Sequence, residues 1–329
     1  MKKTVQILVS TIIISISGIA QNKINWINVD SLYQPLPASV HIYKTTDSLD
    51  GKPNIAYYLI ADLKDKNLNF TADTTYKRRL TPKQFYEKNN QPLAVVNCTF
   101  FSFETNQNLN VVIKNGRLVS RNVSSIRSKG KDSFMYVHAF GSAFGINKKR
   151  KADIAWLFTD SISKYAFASQ QPLATIKDTI VNPTVKNIIK QISTPNRGNN
   201  VPFKKWKMQA AVGGGPVLVQ QGEIKITNEE ETKFTGKAIN DKHPRTAMGY
   251  TADNKLIILV VQGRFTGLAE GATLTQEAEI LKDLGCIEAL NLDGGGSSCL
   301  LVNGKETIKP SDKEGIQRAV PAVFIIQKQ

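Results

Sequence analysis

Seven short apolar runs, at 55–63, 92–96, 134–139, 208–212, 256–261, 287–292 and 319–326, are each bounded by turn-forming residues. Runs of this length between turns are strands, and those without polar alternation are strands covered on both faces. The chain therefore has to stack sheets. Asn115-Gly116 and Asn303-Gly304 follow apolar stretches and supply hairpin turns, because both residue types tolerate positive φ. Thr81-Pro82-Lys83-Gln84 has capping-box spacing with proline at the first helical position, which opens a short helix toward Asn89. Leu274, Ala278, Leu281, Ile280 and Leu284 recur at helical spacing, and Gly285 stops that helix. The segment 256–292 thus reads strand, helix, strand, a crossover whose length implies a parallel pair. The expected class is α+β: a mixed, mostly antiparallel twisted sheet with this crossover near the C-terminus, in one large domain. With 41% apolar content and 14 Phe, 9 Tyr and 3 Trp, the chain has the material for a large core, which excludes disorder.

Residues 1–20 have the layout of a secretory leader: Lys2 and Lys3, an apolar run over 5–19, then Gly18-Ile19-Ala20. Cleavage is expected near Ala20, giving a secreted or periplasmic protein with no transmembrane segment in the mature chain. The run is shorter than the roughly 20 apolar residues of a membrane span. Residues 21–54 read as an N-terminal extension and 55–329 as the main domain, with a polar excursion at about 161–202 carrying one short helix near 185–192. Cys98, Cys286 and Cys299 are too few for a disulfide framework and sit in apolar contexts suited to buried thiols. The formal charge of +16 falls to +14 without Lys2 and Lys3. Such a surplus concentrates anions, so phosphorylated glycans, acidic polysaccharides, membrane surfaces and nucleic acid are the partner classes it favours. No nucleic-acid module is present, and a nucleic-acid partner is not expected. The runs Lys148-Lys149-Arg150-Lys151 and Lys204-Lys205-Trp206-Lys207 read as solvated loops.

Chemistry concentrates in a few segments. In Asn291-Leu292-Asp293-Gly294-Gly295-Gly296-Ser297-Ser298, a carboxylate at a strand end precedes three glycines and two hydroxyls. Glycines let successive N–H groups converge on an anion, so Asp293 beside Gly294, Gly295, Gly296, Ser297 and Ser298 is a candidate catalytic acid beside an anion nest. The bland reading is a tight turn that Asp293 caps. Gly213, Gly214 and Gly215 follow another strand and are placed either across the same cleft or in close strand packing. Arg245 and Arg264 offer guanidinium forks to phosphate oxygens, or else pair on the surface. His243 is a candidate acid or a structural imidazole, and three histidines do not make a zinc site. Asn97, at a buried strand end before Phe100-Phe101, is placed to hold a sugar hydroxyl or the attacking water. The two rings fit a sugar face or the core equally well. Glu277, in the first turn of the crossover helix, either caps it or joins the catalytic set.

Taken in order, Asn97 with Phe100-Phe101, the 213–216 Gly-Gly-Gly-Pro, His243-Pro244-Arg245-Thr246-Ala247-Met248-Gly249 and the 291–298 segment resemble the phosphodiester glycosidase family over about residues 55–326. The resemblance implies an often exported enzyme of alpha-N-acetylglucosaminidase type that cleaves a sugar C1–oxygen bond with a phosphomonoester as leaving group. It further implies Asp293, Arg245, Asn97 and Glu277 as catalytic residues, with the glycine loops, His243, Arg264, Ser297 and Ser298 at the substrate. A phosphorylated glycan or glycosyl-phosphate polymer is the implied partner. No cofactor is required, and a structural calcium is left open. The chain departs from the family pattern at Cys98-Thr99, where small residues are usual, and at Gln262, where Asp is frequent. Two other readings stand beside this one: a non-catalytic basic glycan-binding protein, and a metal-dependent phosphodiesterase with Asp293 and Glu277 as ligands.

Overall fold

A computed structural model describes residues 23–193 and 202–329; the expected leader and residues 194–201 lie outside the described residues. Three large sheets carry the fold. The first has eight strands, in the order Ile27–Asn28, Val40–Thr45, Ala56–Asp62, Lys255–Val261, Arg245–Thr251, Cys286–Asn291, Val217–Gln220, Glu223–Ile224. A seven-stranded sheet includes Ala152–Phe158, Gly141–Ile146, Ala210–Gly213 and Val112–Lys114 as neighbours. The five-stranded sheet runs Lys305–Glu306, Leu300–Val302, Ala94–Asn97, Ala322–Lys328, Leu68–Thr74. A three-stranded sheet completes the set.

Period-two burial explains the stacking. In Lys255–Val261, Leu256, Ile258 and Val260 enter the main core, whereas Ile257, Leu259 and Val261 face the crossover helix α3 (Leu274–Asp283) through its Leu274, Ala278 and Leu281. In Ala322–Lys328, Phe324 and Ile326 join the same main core, while Val323 and Ile325 pack under helix α1 (Pro82–Lys88) against Phe85 and Tyr86. Continuous apolar runs are thus sheets covered on both sides. Thr81 with Gln84 and Thr273 with Gln276 close complete capping boxes, as does Thr184 with Asn187 on helix α2 (Val185–Ile192). Asn115-Gly116 and Asn303-Gly304 have positive φ at both residues, the backbone a primed hairpin turn requires.

Two expectations need correction. Every ladder between the described strands is antiparallel. Lys255–Val261 and Cys286–Asn291 do run the same way, but Arg245–Thr251 lies between them and pairs with both. The tight hairpin before Lys255–Val261 fills the slot that the crossover would otherwise have closed. The stretch 161–202 carries α2, as expected, and also contributes Ala166–Ser169 to the seven-stranded sheet and Ile176–Asp178 to the three-stranded one. All three cysteines are buried and free. No helix among the described residues is long and apolar enough to cross a membrane.

Glu231 joins two of the sheets. Its buried carboxylate accepts from Ser142 N (3.0 Å), Ser142 Oγ (2.7 Å), Trp156 Nε1 (3.2 Å), Val217 N (2.9 Å) and Thr227 Oγ1 (2.7 Å). A buried carboxylate is tolerated only when its lone pairs are filled in this way. Glu231→Ala orphans these donors and is expected to lower unfolding free energy by about 3 kcal/mol in urea titration. A loss below ~1 kcal/mol would show that the junction does not depend on Glu231.

Candidate active site

Strand Ala94–Asn97 ends at the rim of the eight-stranded sheet, and the amide of Asn97 connects the two. Asn97 Nδ2 donates to the Asp293 carbonyl (2.5 Å), while Oδ1 accepts from Thr246 Oγ1 (3.0 Å) and Cys299 N (3.0 Å). Asp293 N donates to the Cys98 carbonyl (2.8 Å), and Leu292 N to the Thr246 carbonyl (2.8 Å). The backbone of Asp293 is therefore held on both sides. Asn97 is fully buried and its amide is engaged by the protein. It positions Asp293, in place of the direct contact with a sugar hydroxyl or water expected from the sequence.

Asp293 is half-buried, but its Oδ2 has neither solvent contact nor a hydrogen-bond partner. Burial pushes its carboxyl up to about 7, and the nearby Ser297 hydroxyl and Arg318 guanidinium offset this only partly. That hydroxyl stands close without meeting hydrogen-bond geometry, Ser298 Oγ has no partner, and both serines are buried. The glycines after Asp293 form a short 3₁₀ turn: Gly295 N donates to Pro244 O (2.8 Å), Ser297 N to Gly294 O (3.2 Å) and Ser298 N to Gly295 O (3.2 Å). These three donors are spent within the protein, which narrows the nest suggested by the triplet to the N–H groups of Gly294 and Gly296. The loop's glycines also admit cations. A Cβ on Gly295 would lie 3.0 Å from Arg264 Nη2, and one on Gly296 would lie 2.3 Å from Arg318 Nη2. Arg264 is exposed, and half-buried Arg318 is held by a bidentate pair with Asp312, both contacts 3.0 Å. Arg318 escaped the sequence reading because a lone arginine before the last apolar run carries no motif.

Beneath this surface lie two buried ionisable side chains, Arg245 and Glu277. Arg245 donates from Nε to Ala272 O (2.8 Å) and from Nη2 to Asp241 O (3.2 Å), and is 3% exposed. Glu277 is fully buried with both carboxyl oxygens unpartnered; burial pushes it up to about 8, and the charge of Arg245 draws it back only in part. His243 is half-buried with Nδ1 unpartnered, and burial followed by the charges of Arg245 and Arg264 holds its imidazole below the ordinary range. Arg245, Asn97, Asp293 and Glu277 do gather at one end of the eight-stranded sheet, but of these four only Asp293 reaches solvent.

Gly213, Gly214 and Gly215 are not brought to the open face. All three are buried, and their N–H groups donate to Val111 O (2.8 Å), Ser142 O (3.0 Å) and Asn291 O (2.7 Å). A Cβ on Gly214 would stand 2.4 Å from Asn291 O, so the triplet is a packing seam behind the Asp293 strand. Phe101 is buried, whereas Phe100 is half-buried against Phe234. Gln262 accepts from Lys309 N (2.9 Å), an acceptor role that an aspartate would also fill. Among the described residues no three His, Cys, Asp or Glu side chains are grouped to hold a metal ion.

The chain is similar to known proteins in sequence and in fold. The family model for phosphodiester glycosidase matches residues 90–327. The N-acetylglucosamine-1-phosphodiester alpha-N-acetylglucosaminidase of Mus musculus is 34% identical over 103 residues, 29% of this chain and 20% of that protein. An SPbeta prophage-derived protein of Bacillus subtilis (strain 168), YomE, is 44% identical over 82 residues, 25% of this chain and 12% of its own length. The chain thus spans a fifth or less of these curated relatives. In fold it is similar to the zebrafish N-acetylglucosamine-1-phosphodiester alpha-N-acetylglucosaminidase catalytic domain, with TM-score 0.55 and 22% identity over 90% of this chain and 85% of that one. A hypothetical protein from Synechocystis gives TM-score 0.57 at 13% identity, covering 88% of this chain and 62% of that one.

Asn97→Ala strands three buried polar groups and is expected to cost about 3 kcal/mol of stability by urea unfolding. The titration of Glu277 sets a second expectation. An unfolded glutamate titrates near ~4.3, so a folded value of about 8 means stability is fullest below the unfolded value and falls as pH rises through 8. Glu277→Gln should melt with the native chain at pH ~4 and above it at pH ~9. A variant less stable at the higher pH would mean that ionised Glu277 is stabilised by Arg245.

Proposed function

This chain belongs to the phosphodiester glycosidase family, and from that premise we propose that it hydrolyses the bond between a sugar C1 and a phosphate oxygen in a glycosyl phosphodiester, releasing the sugar and a phosphomonoester. The observation that carries the reading is the carboxyl of Asp293, pushed up to about 7 and set in a loop whose glycines admit the guanidinium groups of Arg264 and Arg318. Glycosidases ordinarily need one carboxylic acid to protonate the leaving oxygen and a second carboxylate as nucleophile or base. A phosphate departs as a stabilised anion, so fixed cations take over much of the acid's work. Arg264 and Arg318 are the groups available to receive that charge. Asp293, ionised above about pH 7, serves as nucleophile or as base for water.

The buried residues support this surface. Asn97 fixes the Asp293 backbone, and Arg245 and Glu277 lie buried beneath it. Support for N-acetylglucosamine as the sugar comes from the names of the mouse, cattle and human relatives, and phosphorylated glycans or glycosyl-phosphate polymers are the substrates it suggests. The leader-like residues 1–20 support action outside the cytoplasm. The metal-dependent phosphodiesterase reading has less support, since Glu277 lies buried near Arg245 and no third donor is grouped with it among the described residues.

The test is hydrolysis of an N-acetylglucosamine-1-phosphodiester in water enriched in heavy oxygen. The label is expected on the sugar, and label in the phosphate would defeat the glycosidase reading. Asp293→Asn should reduce turnover roughly a thousandfold, and the native rate should rise with pH through about 7. Undiminished turnover by the variant would remove Asp293 from the mechanism.

A further inference from the structure

A cleft of about 300 Å³ opens beside the glycine seam, whose Gly213 and Gly215 stand against its Asn110 and Lys233. Two links tie it to the site. Phe100, which lines it, lies two residues beyond Cys98, whose carbonyl holds Asp293 N. Gly215, whose N–H binds Asn291 O, stands against the Lys233 side chain in the cleft wall; a Cβ there would lie 2.6 Å from Lys233 Cε.

The polar groups left over in this cleft are of one kind. Lys233 Nζ sits 5.2 Å from the Phe100 ring centroid and makes no hydrogen bond or ion pair among the described residues. Ser124, 7% exposed, has an Oγ without a partner. Asn110 spends its Oδ1 on Phe100 N (2.9 Å), which leaves its Nδ2 donor without a protein acceptor among the described residues. Glu231 also borders the cleft, but its oxygens are already filled by the donors of the sheet junction. An ammonium and an amide N–H without protein acceptors select an oxyanion, whereas Ser124 Oγ is closed off from the cleft. Phe100 and Phe234, with ring centroids 6.0 Å apart, supply the flat apolar faces on which a sugar ring rests.

We propose that this cleft is a second binding site, for a sugar unit bearing a carboxylate or a phosphate, with Lys233 and Asn110 receiving the oxyanion and Phe100 packing the ring. It rests on the glycan-hydrolase reading for the identity of the sugar, and it names what the enzyme would recognise beside the bond it cuts. Burial holds the Lys233 ammonium below its ordinary range, with Glu231 offsetting part of that, so an entering anion would restore the charge environment that burial removes.

The test is titration calorimetry of the full chain with glucuronate, glucose 6-phosphate and glucose. Both anionic sugars are expected to bind at least tenfold more tightly than glucose, and Lys233→Met should abolish that preference. Asn110→Asp keeps the acceptor for Phe100 N and replaces the free donor with an acceptor, so it should lose the preference even if Lys233→Met fails to fold. Asp293→Asn should bind all three sugars as the native chain does. Equal affinity for the neutral and charged sugars, or anion binding unchanged in Asn110→Asp and in folded Lys233→Met, would overturn the proposal. Binding lost in Asp293→Asn would place the ligand at the reaction site and overturn it as well. Failure of turnover with sugar binding intact would count against the hydrolase reading alone.

Discussion

The amide of Asn97 is the contact on which the candidate site depends. It belongs to the five-stranded sheet, yet its partners are a carbonyl and a hydroxyl at the rim of the eight-stranded sheet and an N–H on its own side. Apolar packing presses sheets together without fixing their register, because it is non-directional. Directed hydrogen bonds in a low-dielectric interior do fix it, since each buried group left unmade carries its full desolvation cost. Glu231 plays the corresponding part between the seven- and eight-stranded sheets. One polar side chain at each junction thus converts stacked layers into a defined position for Asp293.

The site has two layers with opposite needs. At the surface, Arg264 lies against Gly295 and Arg318 against Gly296 in the loop after Asp293, where a Cβ would crowd each guanidinium. Below, Arg245 and Glu277 share a space closed to water, and both are shifted toward their neutral forms by burial. Burying two ionisable groups in such a place costs desolvation free energy, which a structure built for stability alone would avoid. Groups perturbed in this way cluster at functional sites. All these residues fall inside the segment 90–327 that matches the family model.

Much of the fold was legible because it rests on local rules. The alternation of Leu256 and Ile258 against Ile257 and Leu259, the primed turns at Asn115-Gly116 and Asn303-Gly304, and the Thr81 and Thr273 caps each need only a few neighbouring residues. The parallel pair expected across α3 failed because pairing partners are settled by competition among strands, and the hairpin strand Arg245–Thr251 took the place first. Asp293, Arg245, Asn97 and Glu277 were legible as a set, since motif residues declare themselves by type and order. Which of them face a ligand was not: Asn97 looks from its sequence like a sugar-binding amide, and only its three partners show that it is committed to the interior.

The glycine triplets mark the boundary most clearly. Three consecutive glycines state that something must pass close to the backbone, and the sequence by itself determined that much, together with the strands, the caps and the family likeness. What passes close was decided by tertiary structure: neighbouring strands at 213–215, and the guanidinium groups of Arg264 and Arg318 at 295–296. The physical reason is that a missing Cβ is a local property of one residue, whereas the group that fills the space arrives from a distant segment along a path set by how the sheets stack.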